Sequence, residues 1–222
     1  MTNIVKPAWL TTHVYVDGFN LYYRAMKHGR FGDFRWLDIV RFCRVLLPHN
    51  HVTLVRYFTA DLHPLKWDPG PADRQRVYLR ALRSLPDLAV HKGRFAVRQI
   101  VRPQVKPTQP IAEPSSMVRV WNLEEEGSDV NLASYLLRDG FLGEYDAAVV
   151  ISDDSDLVEP IRIVRRDIGK PVGIVQLRPR SAFAAEGDFR IHPRRWHFER
   201  SQLPLELRAP DGGIVRKPPE WS

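Results

Sequence analysis

The stretch Ala147-Ala-Val-Val-Ile-Ser-Asp-Asp-Ser-Asp-Leu157 decides the fold that we predict. Its first part, Ala147 to Ile151, is an unbroken apolar run, which is typical of a strand buried on both faces. Pro160 marks the start of the next helix, because proline is tolerated in a first turn but not deeper in a helix. Three acids therefore fall at the carboxyl end of a core strand, where open α/β sheets place their sites: Asp153, Asp154 and Asp156.

These acids have two explanations. One or two of them would cap the following helix, since they accept hydrogen bonds from its first amides and match its dipole. Three close carboxylates also repel one another unless a cation or a proton relieves them, which is typical of a divalent metal site. This stretch alone supports capping and metal binding about equally.

The same pattern occurs near the start of the sequence. The β-rich segment Thr12 to Val16 is followed by Asp17-Gly-Phe-Asn20 and then by a helical run. Asp17 and Asn20 can both point at a site there, although Asp17 alone could be a turn residue. Strands alternate with helices along the chain, which predicts an α/β fold: a mainly parallel central sheet with helices on both faces.

Composition and charge narrow the class of protein. The chain has 222 residues, of which 44% are hydrophobic and 27% charged, and no apolar run approaches the roughly 20 residues of a membrane span. We recognise no secretion signal, and a single cysteine, Cys43, excludes an internal disulfide, so we expect a cytoplasmic protein. The net charge of +7 favours a polyanionic partner.

Two further segments are predicted from composition and alternation. Residues 88–106 are expected to form an edge hairpin that turns near Gly93. Residues 204–222, rich in Pro and Gly and without periodicity, are expected to be a C-terminal tail, extended or partly disordered, after one domain over residues 1–203. In the second arm of the hairpin, a period of two places four cations on one face: Arg94, Arg98, Arg102 and Lys106. These cations are a candidate nucleic-acid-binding surface, or they protect a sheet edge against aggregation.

Three motifs together resemble a known family. They are Val14-Tyr-Val-Asp-Gly-Phe-Asn-Leu21, Glu125-Glu-Gly-Ser-Asp-Val-Asn-Leu132 and Ile151-Ser-Asp-Asp-Ser-Asp-Leu157, and their order and spacing are similar to the NYN domain of the PIN-like nuclease superfamily. The resemblance implies that a set of catalytic acids converges on Mg²⁺ or Mn²⁺: Asp17, Asp129, Asp154 and Asp156. It implies Asn20 and Ser152 as supporting groups. We also expect the additional acid Asp153 to be a further metal ligand, and Ser155 and Glu126 to be further supporting groups.

The resemblance also implies an activity, that of a metal-dependent endoribonuclease hydrolysing RNA phosphodiester bonds. A bound divalent cation can lower the pKa of an attacking water and stabilise charge on the phosphate. This sequence departs from the family at Glu126, where the family often has Lys, and at Asp153, where it often has Gly. RNA is then the expected partner, and a toxic ribonuclease would also need an inhibitory protein partner. The alternatives are a nucleic-acid-binding module with weak or lost catalysis, or a DNA-directed nuclease.

Overall fold

The computed structural model describes residues 9–27, 29–66, 68–104, 116–178 and 183–221. The strands follow one another in the order β1 (Thr11–Asp17), β2 (His51–Thr59), β3 (Leu88–Lys92), β4 (Arg94–Pro103), β5 (Met117–Glu126), β6 (Ala147–Ile151), β7 (Val172–Val175), β8 (Phe189–Ile191), β9 (Glu206–Arg208) and β10 (Ile214–Arg216). The helices are α1 (Gly18–Asn20), α2 (Ile39–Leu46), α3 (Gly70–Leu82), α4 (Ser128–Phe141), α5 (Val158–Ile163) and α6 (Arg195–Glu199). Wider π-helical turns continue α1 over Leu21–Lys27 and α5 over Val164–Ile168.

Six strands form the central sheet in the order β3-β2-β1-β6-β7-β8, and all of their pairings are parallel. This arrangement confirms the predicted α/β class. All five residues of β6 are buried, as a parallel strand covered on both faces requires. The chain runs outward from β1 to β3 on one side and from β6 to β8 on the other. The strand order therefore reverses between β1 and β6, and a crevice opens at their carboxyl ends.

Helices cover both faces of the sheet, and β1 shows how one strand serves two cores. Alternate residues of a strand point to opposite faces, so Val14 and Val16 lie in the first hydrophobic core and Tyr15 lies in the second. The first core also contains residues of α2, α3 and α6, and the second contains residues of α4 and α5: Phe42, Leu82 and Phe198, then Leu136 and Ile161. None of the helices in the described part of the chain combines the length and apolar character needed to cross a membrane.

A buried ionic network joins β1, β2 and α4 beneath the second core. The fully buried Asp139 accepts hydrogen bonds from Arg56 Nε at 2.7 Å and Nη2 at 3.1 Å, and from the Tyr15 hydroxyl at 2.8 Å. Burial alone would raise the pKa of Asp139, but the hydrogen bonds from Arg56 and Tyr15 outweigh burial and hold that pKa below its usual range. The network therefore fixes α4 against the sheet.

The antiparallel hairpin is confirmed, but its arms are not the predicted ones. Residues 88–92, expected to be the first arm, form β3, which pairs with β2 in the parallel sheet because Leu88 and Val90 pack against the first core. The hairpin consists of β4 and β5 instead. Its predicted cation alternation is present, since Arg94 and Arg98 both reach Glu126 across the same face, whereas Lys106 lies outside the described residues.

Residues 204–221 are folded, contrary to the expected extended or partly disordered tail. β9 and β10 pair with each other, and the Trp221 ring lies 6.2 Å from the Trp36 ring and 5.8 Å from the Tyr78 ring, between centroids. Trp221 and Val215 belong to the first core. Pro210 and Gly212 lie in the connection between β9 and β10, where Gly212 has a φ of 82° that favours glycine.

Candidate active site

The carboxyl ends of β1 and β6 meet at Asp17, which is 4% exposed. Asp17 Oδ1 accepts a hydrogen bond from the backbone N of Asn20 at 2.8 Å and so caps α1. Asp17 Oδ2 accepts from Asn20 Nδ2 at 2.7 Å and from Ser152 Oγ at 2.9 Å. Burial raises the pKa of Asp17 above its usual value even though these three hydrogen bonds oppose that shift.

The loop after β6 places Asp154 beside Asp17. The backbone N of Asp154 donates to Ser152 Oγ at 3.1 Å, and Asp154 Oδ1 accepts from the backbone N of Asp156 at 3.0 Å. Asp154 therefore caps the short 3₁₀ turn Ser155–Leu157. Ser155 and Asp156 are exposed. The capping explanation for these acids is correct for Asp154, whose charge also acts on Asp17.

Asp129, in the first turn of α4, is the acid most affected by its neighbours. Burial raises the pKa of Asp129, and the charges of Asp17, Asp154, Glu125 and Asp156 raise it further, to about 7. The structure thus brings the four predicted acids close enough to repel one another, and it adds Glu125 to them. A carboxyl group with this pKa can take up or release a proton near neutral pH.

Asp153 and Glu126 have arginine partners of their own. Asp153 Oδ2 accepts from Arg178 Nε at 3.3 Å. Glu126 accepts from Arg94 Nη2 at 2.6 Å and from Arg98 Nη2 at 2.8 Å, and the hydrogen bond from Arg94 lowers its pKa. These two acids are therefore neutralised by cations. Arg94 and Arg98, two of the four cations predicted on one face of the strand, are thus paired with Glu126, whereas Arg102 is exposed.

A pocket of about 420 Å³ opens beside the acids, and we call it the acid pocket. Its polar lining includes Asp17, Asn20, Glu125 and Asp129. Aromatic and apolar side chains also line it, some of them from the hairpin strands: Phe19, Tyr23, Leu62, Phe95 and Leu123. His63 and Lys27 lie in the same lining. A pocket of this size and composition suits a small molecule with an aromatic ring.

The residues of this pocket fit a divalent cation. Asn20 Oδ1 is buried and has no hydrogen-bond partner in the described part of the chain. The orientation of this amide follows from its network, because Asn20 Nδ2 must donate to Asp17. A buried carbonyl oxygen without a donor is unfavourable, and a cation would satisfy it. Asp17 lines the same pocket, and the charge of Asp154, outside its lining, acts on Asp17. The oxygens of Asn20, Asp17 and Asp154 are the all-oxygen kind of donor set that suits Mg²⁺ or Mn²⁺.

A more closely spaced group of side chains that could bind a metal ion lies outside the acid pocket. In the ranges that the structure describes, His13, Asp139 and Glu144 form the only trio of His, Cys, Asp or Glu whose ligand atoms all lie within 4.8 Å of one another. Asp139 is already paired with Arg56 and with Arg138, whose Nη1 lies 2.8 Å from Asp139 Oδ1. A cation would have to displace these guanidinium groups, so we assign this trio a structural role.

Several residues of the acid pocket were not identified from the sequence. Glu125 lies in the acidic run at the end of β5, and its Oε1 accepts from the backbone N of Ser128 at 2.9 Å. Its position as the first residue of the second quoted motif is a usable signal. His63 lies between Leu62 and Pro64, in a segment where no periodicity indicates which side chains face inward.

The chain was compared with known proteins. No family model matches it. It is 28% identical, over 238 aligned positions, to the 6-hydroxy-3-succinoylpyridine 3-monooxygenase HspA of Pseudomonas putida (strain DSM 28022 / S16), and the alignment covers 96% of this chain and 75% of HspA. Among solved structures, a protein of unknown function from Vibrio parahaemolyticus has a similar fold, with a TM-score of 0.50 and 14% identity, covering 90% of this chain and 100% of that one.

The similarity to a monooxygenase overturns the predicted activity. The prediction of a metal-dependent endoribonuclease is wrong, as are its nucleic-acid-binding and DNA-directed alternatives, because the named relative is an oxidoreductase. The physical reason is that mutually repelling acids at strand ends specify a site for a cation or a proton and not the bond that reacts. The NYN resemblance and the expected RNA and inhibitory partners stay predictions. The acid pocket therefore lies in a chain that is similar to the monooxygenase HspA.

Proposed function

We propose that this chain is an oxidoreductase of the monooxygenase type, which hydroxylates a small aromatic ring that already carries a hydroxyl group. Two findings support the proposal. The similarity to HspA, which is named for a hydroxylated pyridine, spans 96% of the chain. The observation that carries it in this molecule is Asp129, a carboxyl group with a pKa of about 7 that lines a pocket with aromatic walls.

The acid pocket orients such a ring because both aromatic side chains and carboxyl groups line it. The side chains of Phe19, Tyr23 and Phe95 offer aromatic surface for stacking or edge contacts with the ring. Asp129 and Asp17 attract a hydroxyl group because a carboxylate accepts its proton in a hydrogen bond. The substrate hydroxyl therefore points at Asp129.

Asp129 acts as the general base of the reaction. In its ionised form it takes the proton of the ring hydroxyl. The resulting ring oxyanion increases the electron density of the neighbouring ring carbon, where an electrophilic oxygen atom adds and a C–H bond becomes C–OH. One atom of dioxygen enters the ring and the other leaves as water, which consumes two electrons and two protons. A reduced flavin, regenerated by a reduced nicotinamide, supplies the electrons and activates the dioxygen, and both are diffusible cosubstrates.

A divalent cation, Mg²⁺ or Mn²⁺, is part of the proposal. Asp17, Asp154 and Asn20 Oδ1 would hold it, and when bound it would supply positive charge that favours the ionised form of the ring hydroxyl. Ser152 and Asn20 hold the Asp17 carboxylate in place through their hydrogen bonds. A glycine-rich phosphate loop does not follow β1, since the next glycine after Gly18 is Gly29, and the nucleotide reductant is therefore a cosubstrate.

The test is incorporation of oxygen from isotope-labelled dioxygen. Purified protein is incubated with a panel of hydroxypyridines, Mn²⁺, reduced nicotinamide and flavin, and the products are analysed by mass spectrometry. We expect one labelled oxygen atom in the product ring, and a loss of at least about 100-fold in rate for Asp129→Asn, as is usual for a general base. Asp167→Asn, an exposed acid in the π-helical turn after α5 and outside the lining of the acid pocket, is the matched control. Absence of labelled ring product from every hydroxypyridine would reject the proposal.

A further inference from the structure

The two faces of the hairpin formed by β4 and β5 differ in chemical character. The register pairs Val97 with Leu123, and directly paired residues of an antiparallel sheet point to the same side. We call this side the apolar face, and its apolar members are Phe95, Val97, Val101, Met117, Trp121 and Leu123. The opposite face carries most of the charged side chains: Arg94, Arg98, Arg102, Glu124 and Glu126. An antiparallel sheet of this kind normally buries its apolar face and exposes the charged one to water.

The apolar face is uncovered at the end of the hairpin away from β3, which we call the far end. Val101 is 54% exposed, Met117 61% and Trp121 52%. In the described part of the chain, β4 and β5 pair only with each other and join no larger sheet. The exposed side chains form an apolar patch on the order of a few hundred Å², and a patch of this size usually marks an interaction surface. A two-stranded hairpin is also marginally stable alone, so a covering partner would stabilise it.

The two charged residues of the apolar face lie at opposite ends of it. Arg119 lies toward the far end, opposite Val101, and Glu125 lies at the end next to β3, opposite Phe95. Among the described residues, neither Arg119 nor Glu125 forms an ion pair, although Glu125 accepts a hydrogen bond from the backbone N of Ser128. One end of the face is therefore positive and the other is negative.

This distribution of charge makes the face complementary to a second copy of itself. Two hairpins that packed face to face in the same direction would bring their Arg119 side chains together, and also their Arg102 side chains, which is unfavourable. Two hairpins that pack in opposite directions place the positive end of each over the negative end of the other. Charge complementarity therefore selects a second copy in the opposite direction as the partner.

We infer that the apolar face is the interface of a symmetric dimer, in which the hairpins of two copies pack face to face in opposite directions. A two-fold axis perpendicular to the strands lays β5 over β5 of the partner. The register that places Trp121 opposite the partner's Leu123 also places Arg119 opposite the partner's Glu125, because side chains on one face recur every two residues. Glu125 lines the acid pocket, so each copy contributes a cation beside the acid pocket of the other. This inference is independent of the reaction proposed above.

The state of association in solution tests the inference. Sedimentation velocity of the full chain is measured at protein concentrations from about 1 to 200 µM, a range that brackets a weak specific dimer. We expect a reversible equilibrium between monomer and dimer with a dissociation constant on the order of micromolar, since the patch is at the small end of specific interfaces. Trp121→Ser should weaken dimerisation at least about 10-fold, because tryptophan contributes strongly at the centre of an interface.

The neighbouring residue supplies the matched control. Val120 is also an exposed apolar side chain, 38% exposed, but it pairs with Ile100 and points to the opposite face. Val120→Ser should therefore leave the dissociation constant within about 2-fold of the wild-type value. A dimer that persists unchanged in Trp121→Ser would place the interface on another surface.

Exchange of charges tests the direction of packing. Arg119→Glu and Glu125→Lys each place like charges opposite one another, and each should weaken dimerisation about 10-fold. The variant with both substitutions places opposite charges together again and should recover most of the wild-type affinity. Urea denaturation establishes that the variants are folded, since Glu125→Lys also removes the hydrogen bond to Ser128.

Three results would overturn the inference or part of it. Wild-type protein that stays monomeric over the whole concentration range rejects the dimer, needs no variant, and leaves the apolar face to a different partner. Equal effects of Trp121→Ser and Val120→Ser reject the apolar face as the interface. Dimerisation that the double charge exchange does not restore rejects packing in opposite directions. None of these measurements uses labelled oxygen, so failure of the monooxygenase proposal leaves the dimer unaffected.

Discussion

Ser152 Oγ donates a hydrogen bond of 2.9 Å to Asp17 Oδ2, although 135 positions separate the two residues. The register of the sheet explains the contact. Val16 of β1 lies opposite Ile151 of β6 in a parallel pairing, so the next residue of each strand reaches the same edge. The geometry of the acid pocket is therefore set by strand register at the point where the strand order reverses.

Removal of this hydrogen bond should destabilise the protein moderately. In Ser152→Ala, the buried Asp17 carboxylate loses one of its three donors, and we expect a decrease of about 1–2 kcal/mol in the free energy of unfolding. Urea denaturation measures the change. Ser155→Ala, at an exposed position in the same loop, should change stability by less than about 0.5 kcal/mol. Equal effects of the two substitutions would contradict the role given to Ser152.

Asp129 should make stability depend on pH near neutrality. Its pKa in the folded protein, about 7, lies above its ordinary value of 3.8. The folded state therefore binds a proton that the unfolded state has released, and the stability from this group is present at low pH and is lost as pH rises through 7. Asp129→Asn should abolish this loss and raise the melting temperature by a few degrees at pH 8, with little change at pH 4. A pH profile that is identical in the variant and the wild-type protein would contradict the raised pKa.

Divalent cations should stabilise the folded protein through the acid pocket. A cation that binds only the folded state at about 100 times its dissociation constant adds about 2.7 kcal/mol. We expect Mn²⁺ to raise the melting temperature of the wild-type protein, EDTA to reverse this change, and Asp17→Asn to remove it. Glu144→Gln, which alters the His13, Asp139 and Glu144 trio, should keep the full response. Loss of the response in Glu144→Gln alone would move the cation to that trio.

The buried ionic network should contribute to stability and not to binding. Asp139→Asn leaves Arg56 without its buried carboxylate partner, which we expect to lower the free energy of unfolding by about 3–5 kcal/mol. Arg138→Gln removes a half-exposed partner of the same acid and should have an effect below about 1 kcal/mol. Both variants should bind a hydroxypyridine as the wild-type protein does, since the residues of the network do not line the acid pocket. A lower affinity in Asp139→Asn at a temperature where it is folded would contradict this separation.

The fold could be predicted from local patterns because its central strands are encoded locally. Ala147 to Ile151 is apolar throughout, and the acids after it mark the end of the strand. The predicted first arm of the hairpin is wrong, because β4 pairs with β5, which follows after an intervening segment. Alternation within one strand does not identify the strand with which it pairs. The Pro- and Gly-rich segment before Trp221 has few apolar residues, and they lack a helical or strand period. Its sequence therefore predicts a tail and not the folded segment that the structure shows.

The residues of the candidate site could also be predicted only in part. Asp17 and Asp154 were found because each follows a buried strand, and parallel strands bring their carboxyl ends to one edge. His63 lies outside any periodic element, so only the three-dimensional arrangement shows that it lines the acid pocket. The reaction could not be read from the acids, since a group of carboxylates determines local charge and proton affinity but not which bond of a ligand reacts.

The parallel pairing of β1 with β6 has a consequence for folding kinetics. The pairing joins segments that are far apart in sequence, and contacts of this kind form late because a long loop must close first. Repulsion between Asp17, Asp129 and Asp154 is therefore absent until most of the native structure has formed. We expect substitutions that relieve it to slow unfolding and to leave the refolding rate nearly unchanged. The lifetime of the folded state, and not the speed at which it is reached, is then the property that the acid pocket limits.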